Sequence, residues 1–343
     1  MKIGVLTGGG DCPGLNPAIR AVVRRADQHG HSVVGIHNGW AGLLGEGSVA
    51  PLTLRDVSGI LIQGGTILGT SRTNPFRKPE HVQQVTDNLK RHEVDALIAI
   101  GGDDTLSVAA KLADMGEKVV GIPKTMDNDV DGTDFTIGFN SAVTIVCDAL
   151  DKLHTTASSH HRVLVVEVMG REAGWVAVVG GLAGGADFIL IPEQPATVES
   201  VCRHLERRRE MGKDFSIIVV AEGAQIPDIG PAETDGGTDA FGHVRLDRRN
   251  IGELVGREIE RRTGFETRVT VLGHLQRGGS PSLFDRVLAT RYGVAAVDYI
   301  LEGRFGYMPA LRGTEIVPCK LSDAVSKSRT VDLSLFNLAQ IFY

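Results

Sequence analysis

An α/β fold built on mostly parallel sheets is predicted for this 343-residue chain by two features of its sequence. Short, continuous apolar runs alternate with stretches of helical length, the pattern of strands covered by helices in layers. Glycine, 43 residues in all, is not periodic but clustered, as Gly8-Gly9-Gly10, Gly64-Gly65, Gly101-Gly102, Gly180-Gly181, Gly184-Gly185 and Gly278-Gly279. Several of these clusters follow β-branched runs, where a missing Cβ lets backbone amides approach a ligand. In open parallel sheets ligands bind beyond the carboxyl ends of the strands, which is where these glycines fall.

Along the chain, Ile3 to Thr7 reads as a strand, Leu15 to Gln28 as a helix and Ser32 to Ile36 as a strand. Glu80 to Arg91 reads as a helix, Ala96 to Ile100 as a strand, Thr105 to Met115 as a helix and Val119 to Ile122 as extended. The alternation resumes with a strand over Arg162 to Val168, a helix over Trp175 to Ala183 and a strand over Phe188 to Ile191. Val198 to Met211 is helical and Ile217 to Ala221 extended. The Pro- and Gly-rich segment 225–244 is expected to be a surface loop. The length suggests two domains, or one large one, with a boundary near Gly132 to Asn140.

The hydrophobic share of 42 % suffices for a buried core, and no apolar run is long enough for a membrane span. The apolar start is too short for a signal peptide, so a cytoplasmic protein is expected. A net charge of −6 argues against a nucleic-acid binder while leaving room for phosphate ligands at a local positive site. The four cysteines form no CxxC pair, which fits a reducing compartment and gives no zinc or disulfide framework.

Three segments carry chemistry. Thr7-Gly8-Gly9-Gly10-Asp11-Cys12-Pro13-Gly14 joins a strand to a helix, so free amides and a helix N-terminus offer an anion site, or else a plain structural turn. It is neither a Walker loop nor a GxGxxG fingerprint. Gly101-Gly102-Asp103-Asp104-Thr105 pairs two glycines with two carboxylates, suited to a hard cation bridged to phosphates; helix capping explains one of these residues but not the pair. Pro123-Lys124-Thr125-Met126-Asp127-Asn128-Asp129 sets a cation and two acids beyond a strand end, either a general base beside a phosphate or a surface turn.

These segments, together with Gly69-Thr70-Ser71-Arg72, Met169-Gly170-Arg171-Glu172-Ala173-Gly174, Ala221-Glu222-Gly223 and the run from Thr267 to Gly279, resemble the phosphofructokinase family of the bacterial type. The matches keep family order from about residue 3 to about residue 290. The resemblance implies two Rossmann-like, three-layer αβα domains. Residues 1–138 with about 276–325 would bind the phosphoryl donor, and 139–275 with about 326–343 would bind fructose 6-phosphate. It implies that Gly10, Arg72 and Lys124 meet the donor and that Asp103 holds Mg²⁺. Asp127 would be the base for the sugar 1-hydroxyl, with Thr125 and Asp129 positioning the reacting groups and Arg171 stabilising the transferred phosphoryl. Met126, Met169, Gly170 and Glu222 would hold the sugar. Arg162, Arg268, His274 and Arg277 would hold the 6-phosphate and orient the sugar, Arg162 and Arg268 from a neighbouring subunit, and Leu275 and Gln276 would be further substrate-binding residues. A homodimer or homotetramer with active sites at subunit contacts is therefore expected. Without the motif, His274 would read as a buried core histidine and Arg162 as an ordinary exposed base. Arg20, Arg24 and Lys213 match some basic positions of the effector site in allosteric relatives, whereas His154 supplies no arginine there.

ATP-using relatives usually carry glycine at the places of Asp104 and Lys124. A carboxylate where the α-phosphate of ATP would lie is both an obstacle and a like charge, worth roughly 4 kcal/mol at about 4 Å and an effective dielectric of about 20. Lys124 adds positive charge for a donor that has no nucleotide to grip. The pyrophosphate-using branch is therefore expected, with Asp104 deciding and Lys124 supporting. The alternatives are an ATP-dependent 6-phosphofructokinase and a non-catalytic sugar-phosphate-binding homologue. The second would be expected to lack Asp103, Asp127 or Arg171, all of which are present.

Overall fold

The computed structural model describes residues 1–229, 241–242 and 249–343. Most of the predicted loop 225–244 lies outside the described residues. The first part of the chain folds as β1 (Lys2–Thr7), α1 (Leu15–Gln28), β2 (Ser32–Ile36), β3 (Val49–Leu52), α2 (Pro79–Arg91), β4 (Ala96–Gly101), α3 (Asp103–Asp114), β5 (Val119–Thr125) and β6 (Ile137–Gly138). There follow α4 (Phe139–His160), β7 (Val163–Val168), α5 (Trp175–Ala183), β8 (Phe188–Leu190), α6 (Val198–Glu210), β9 (Ser216–Ala221), α7 (Ile251–Thr263) and β10 (Thr267–Val271). The chain closes with α8 (Leu283–Leu301), β11 (Tyr307–Arg312), β12 (Glu315–Lys320), α9 (Leu321–Ala324) and α10 (Leu333–Gln340). Two compact units result, Met1–Ser141 with Arg277–Arg329, and Ala142–Gln276 with Thr330–Tyr343.

The first unit holds a six-stranded sheet in the order β3-β2-β1-β4-β5-β6. All its pairings are parallel except that of the edge strand β3 on β2. Continuous burial of Ile3, Val5, Ile98, Ile100, Val120 and Ile122 explains why these strands read as unbroken apolar runs. Leu288, Tyr292, Val297 and Ile300 of α8 fill the same core beside Leu15, Ile19 and Val22 of α1. The buried Asp285 carboxylate accepts from Gly138 N (3.1 Å), Ser141 N (2.7 Å) and Ser141 Oγ (2.6 Å), satisfying free amides at the start of α4. Strand order reverses at β1, since β2 lies on one side of it and β4 on the other. That places a topological switch point at the carboxyl ends of β1 and β4.

The second unit holds a wholly parallel sheet in the order β10-β7-β9-β8. Val163, Val165, Ile218, Val220, Val201, Leu205, Val255 and Ile259 pack its core. Tyr343 Oη accepts from Ile189 N at 3.0 Å, and its ring stacks on Phe188 with centroids 5.0 Å apart. Among the described residues no helix is long and apolar enough to cross a membrane.

Two boundaries differ from the sequence reading in ways that matter for the site. α3 begins at Asp103 rather than Thr105, so both carboxylates stand in its first turn, where acids are favoured by the helix dipole. β5 continues to Thr125, because Lys124 and Thr125 pair with Ile137 and Gly138. Lys124 is thus a buried strand residue and not part of a loop. The edge strand β3 and the hairpin β11–β12 add antiparallel pairing that the sequence did not suggest.

Candidate active site

In the first unit the glycine loops are packed around Thr105. A Cβ on Gly8 would fall 2.5 Å from Thr105 Oγ1, and one on Gly101 would fall 2.3 Å from Thr105 Cβ. Only glycine at both strand ends lets β1 and β4 close over this side chain. Gly8 N donates to Ile100 O (2.9 Å), Gly9 N to Ser71 O (3.1 Å), and Thr70 Oγ1 to Gly9 O (2.6 Å). The Thr70-Ser71-Arg72 segment is thereby fastened to the first glycine loop, with the Arg72 side chain exposed beside it.

Lys124 lies beneath that loop. Its Nζ donates to Gly8 O at 3.1 Å and Gly10 O at 2.5 Å. Burial lowers the affinity of this amine for its proton, and Arg277 adds to that; Cys12, Asp127 and Asp11 act in the opposite sense. Cys12 is buried beside it, and burial raises its thiol to about 12, so it stands protonated with its Sγ on Ile137 O (3.4 Å). The lysine therefore turns the Gly8 and Gly10 carbonyls inward beneath the loop.

Arg277 donates from Nη1 to Asp11 O at 2.9 Å, and its guanidinium covers Gly10 so closely that a Cβ there would sit 2.2 Å from Nη1. The structure places this arginine, expected on the sugar phosphate, against the glycine loop of the first unit. Asp127 is 5 % exposed, and its Oδ1 accepts no hydrogen bond among the described residues. Its backbone N–H is tied to Thr125 Oγ1 at 3.1 Å. Met126 is buried in the same segment. The left-handed Asn128 (φ 55°) accepts from Thr136 N at 3.0 Å on Oδ1, which fixes the turn that carries Asp127 and Asp129.

In the second unit two separate groups form. At the carboxyl end of the sheet, Val168 of β7 pairs with Ala221 of β9, so Met169-Gly170-Arg171 lies beside Glu222. Glu222 Oε1 accepts from Gly170 N (3.2 Å) and Arg171 N (3.0 Å). Gly170 (φ 148°) and Arg171 (φ 49°) both adopt left-handed backbone here, unusual for an arginine. Arg249, which the sequence reading did not single out, donates to Ala224 O at 3.1 Å and steadies the Glu222 turn. His274 and Leu275 follow β10 at the same end and are exposed, so His274 is not the buried core histidine it would read as without the motif. Gln276 is fully buried, its Nε2 on Gly273 O at 3.1 Å.

At the amino end of the same sheet stand Arg162 and Arg268. Both contact Glu266, at 2.8 Å and 2.5 Å. The length of β7 separates them from Met169 by roughly 20 Å at about 3.3 Å per residue. One copy of the sheet cannot bring both groups to one small ligand.

Comparison with known proteins decides the family. The family described as phosphofructokinase matches residues 2–300. The chain belongs to the phosphofructokinase family. It is 55 % identical over 346 residues, with 100 % of both chains covered, to an Amycolatopsis mediterranei protein named pyrophosphate–fructose 6-phosphate 1-phosphotransferase. A Dictyoglomus thermophilum protein of the same name is 48 % identical over 344 residues, covering 100 % of this chain and 99 % of that one. A Corynebacterium efficiens protein named ATP-dependent 6-phosphofructokinase is 49 % identical over 345 residues, again covering 100 % and 99 %. Among solved structures, phosphofructokinase from Saccharomyces cerevisiae superposes with a TM-score of 0.81 at 35 % identity over 95 % of this chain, which spans 45 % of that longer one. A Marinobacter aquaeolei structure described as a pyrophosphate-dependent phosphofructokinase gives 0.82 at 24 % identity over 97 % and 86 % of the two chains, a likeness of fold. The α/β architecture with its mostly parallel sheets is the phosphofructokinase fold.

Proposed function

We propose that this phosphofructokinase moves a phosphoryl group from pyrophosphate to the 1-hydroxyl of fructose 6-phosphate, giving fructose 1,6-bisphosphate and phosphate. The observation that carries the choice of donor is Asp104 in the first turn of α3, at the switch point of the six-stranded sheet. A helix N-terminus that could receive a nucleotide phosphate is flanked by the chain's own carboxylates. The α-phosphate of ATP would meet a like charge there, whereas a two-phosphate donor needs no such space. The full-length relatives that carry the pyrophosphate name support the same reading.

The first unit would take the donor and supply the base; the second would hold the sugar. The amides of the Gly8-Gly9-Gly10 loop, with Lys124 beneath and Arg72 beside them, would receive the pyrophosphate. Asp127 would accept the 1-hydroxyl proton as that oxygen bonds to phosphorus and the bridging P–O bond breaks, releasing phosphate. A buried carboxylate oxygen without a hydrogen-bond donor suits this task. Arg171 would stabilise charge on the transferred group. Met169, Gly170 and Glu222 would hold the sugar, with His274, Leu275 and Gln276 orienting it, while Arg277 stands at the donor loop. Because the bond broken and the bond formed are close in energy, the step would run in both directions.

Asp103, in the first turn of α3, would be the residue that holds Mg²⁺. Among the described residues no three His, Cys, Asp or Glu side chains are grouped as an all-protein cage requires. When bound, the ion would offset charge on the donor phosphates. The separation of Arg162 and Arg268 from Glu222 along β7 supports an active site completed by a neighbouring subunit, whose two arginines would take the 6-phosphate.

Coupled turnover with each donor tests the reading. Wild-type protein should turn over faster with pyrophosphate than with ATP, and Asp104→Gly should shift the preference toward ATP. Equal use of both donors by the wild type would overturn the donor assignment.

A further inference from the structure

We propose that Glu266 is an internal competitor for the sugar phosphate: its carboxylate holds Arg162 and Arg268 together in the free chain, and the 6-phosphate binds by displacing it. The proposal rests on the reading that these two arginines take the 6-phosphate. β10 pairs with β7 so that Thr267 faces Val163, and Val163 N donates to Glu266 O at 3.0 Å. That register sets Glu266 beside Arg162, while Arg268 follows two residues later on the same strand.

One carboxylate oxygen, Oε1, serves both guanidiniums, at 2.8 Å from Arg162 Nη2 and 2.5 Å from Arg268 Nη2. This arrangement leaves much of each guanidinium fork unused. Arg162 Nε is buried and has no hydrogen-bond partner among the described residues. The second terminal nitrogen of Arg268 is turned to the Thr267 carbonyl at 2.9 Å. A phosphate dianion offers three oxygens and more charge, and it matches the planar forks two bonds at a time. It can therefore replace a carboxylate that satisfies the pair through a single atom. The glutamate is also held charged in the free chain. Its hydrogen bond to Arg162, with further attraction from Arg162, Arg268 and His160, keeps its carboxyl below the usual range, against a smaller opposing effect of burial.

The three side chains are 29 %, 44 % and 54 % exposed in the order Arg162, Glu266, Arg268, so the pairs are individually weak. The competitor should accordingly raise the sugar-phosphate requirement only modestly. Glu266→Gln keeps the size of the side chain and removes the charge. We expect it to lower the KM for fructose 6-phosphate about three- to tenfold. The KM for pyrophosphate should stay put, and kcat should change less than the sugar KM. In the reverse direction the KM for fructose 1,6-bisphosphate should fall by the same factor, because that substrate carries the same 6-phosphate. Calorimetric titration with fructose 6-phosphate alone should show the gain without turnover, and Glu266→Asp should fall between wild type and Glu266→Gln. An unchanged or raised KM in Glu266→Gln would overturn the proposal and make Glu266 a positioning residue for the arginines. Arg162→Ala and Arg268→Ala separate the two failures. If neither raises the sugar KM, the phosphate-binding reading itself falls; if both do and Glu266→Gln brings no gain, only the competitor is refuted.

Discussion

Asp127 has a backbone tied to Thr125, a nearly buried side chain, and an Oδ1 that no described donor reaches. In the proposed reaction this carboxylate is the group that takes the proton of the 1-hydroxyl. Asp127→Asn preserves the shape and removes the capacity to do so. Its kcat should drop by about 10²- to 10⁴-fold with pyrophosphate, while calorimetry still detects fructose 6-phosphate binding. Activity within a few-fold of wild type would exclude the residue as the base. Asp127 was legible in the sequence, as were Gly10, Asp103 and Asp104, because charges and glycines that interrupt apolar runs stand out. Lys124 was legible as a residue but not as an environment. Its burial follows from strand pairing with Ile137, a partner no local pattern announces. Glu266 was not legible at all, since its meaning depends on which residue of β7 it faces across the sheet.

The elements that the sequence revealed are those with continuous apolar runs and one-sided helices, such as β1, β4, α1 and α6. β3 escaped because it is four residues long, contains Pro51 and lies at an edge. The hairpin β11–β12 escaped for a related reason: Pro309 and Pro318 face each other in it and dilute the strand signal. On α6, the apolar face includes His204, packed 5.4 Å from the Phe188 ring and 5.7 Å from that of Tyr343. Burial, and then Arg208 and Arg207, push this imidazole down to about 4. An unfolded chain would protonate the same group near pH 6.5. Between those values the unfolded state binds more protons, so the helix's contribution is complete above about pH 6.5 and declines as the pH falls, by up to about 1.4 kcal/mol per pH unit. Urea unfolding of wild type and His204→Phe from pH 7 to pH 4.5 should show a steeper acid loss in the wild type. Parallel curves would mean that the histidine is not protonated on unfolding.

For the whole molecule, Arg162 and Arg268 stand at the opposite end of one sheet from Met169 and Glu222, so the proposed sugar site would be completed by a second copy. Asp127→Asn and Arg268→Ala proteins should each be weakly active alone. Dissociated and reassociated together, they should recover about a quarter of wild-type activity if subunits mix freely in a two-fold dimer, since half the dimers would then own one intact site of two. No recovery in verified mixed oligomers would place the base and the arginine in the same subunit's site. The route of the chain through its two units bears on how the protein is made. A ribosome delivers residues 142–276, enough for the whole four-stranded sheet, before it delivers α8, whose Leu288, Tyr292 and Val297 the earlier-made six-stranded sheet needs for its core. The half that begins first is therefore left waiting for α8, with the strands bearing the glycine loops partly uncovered until late in synthesis.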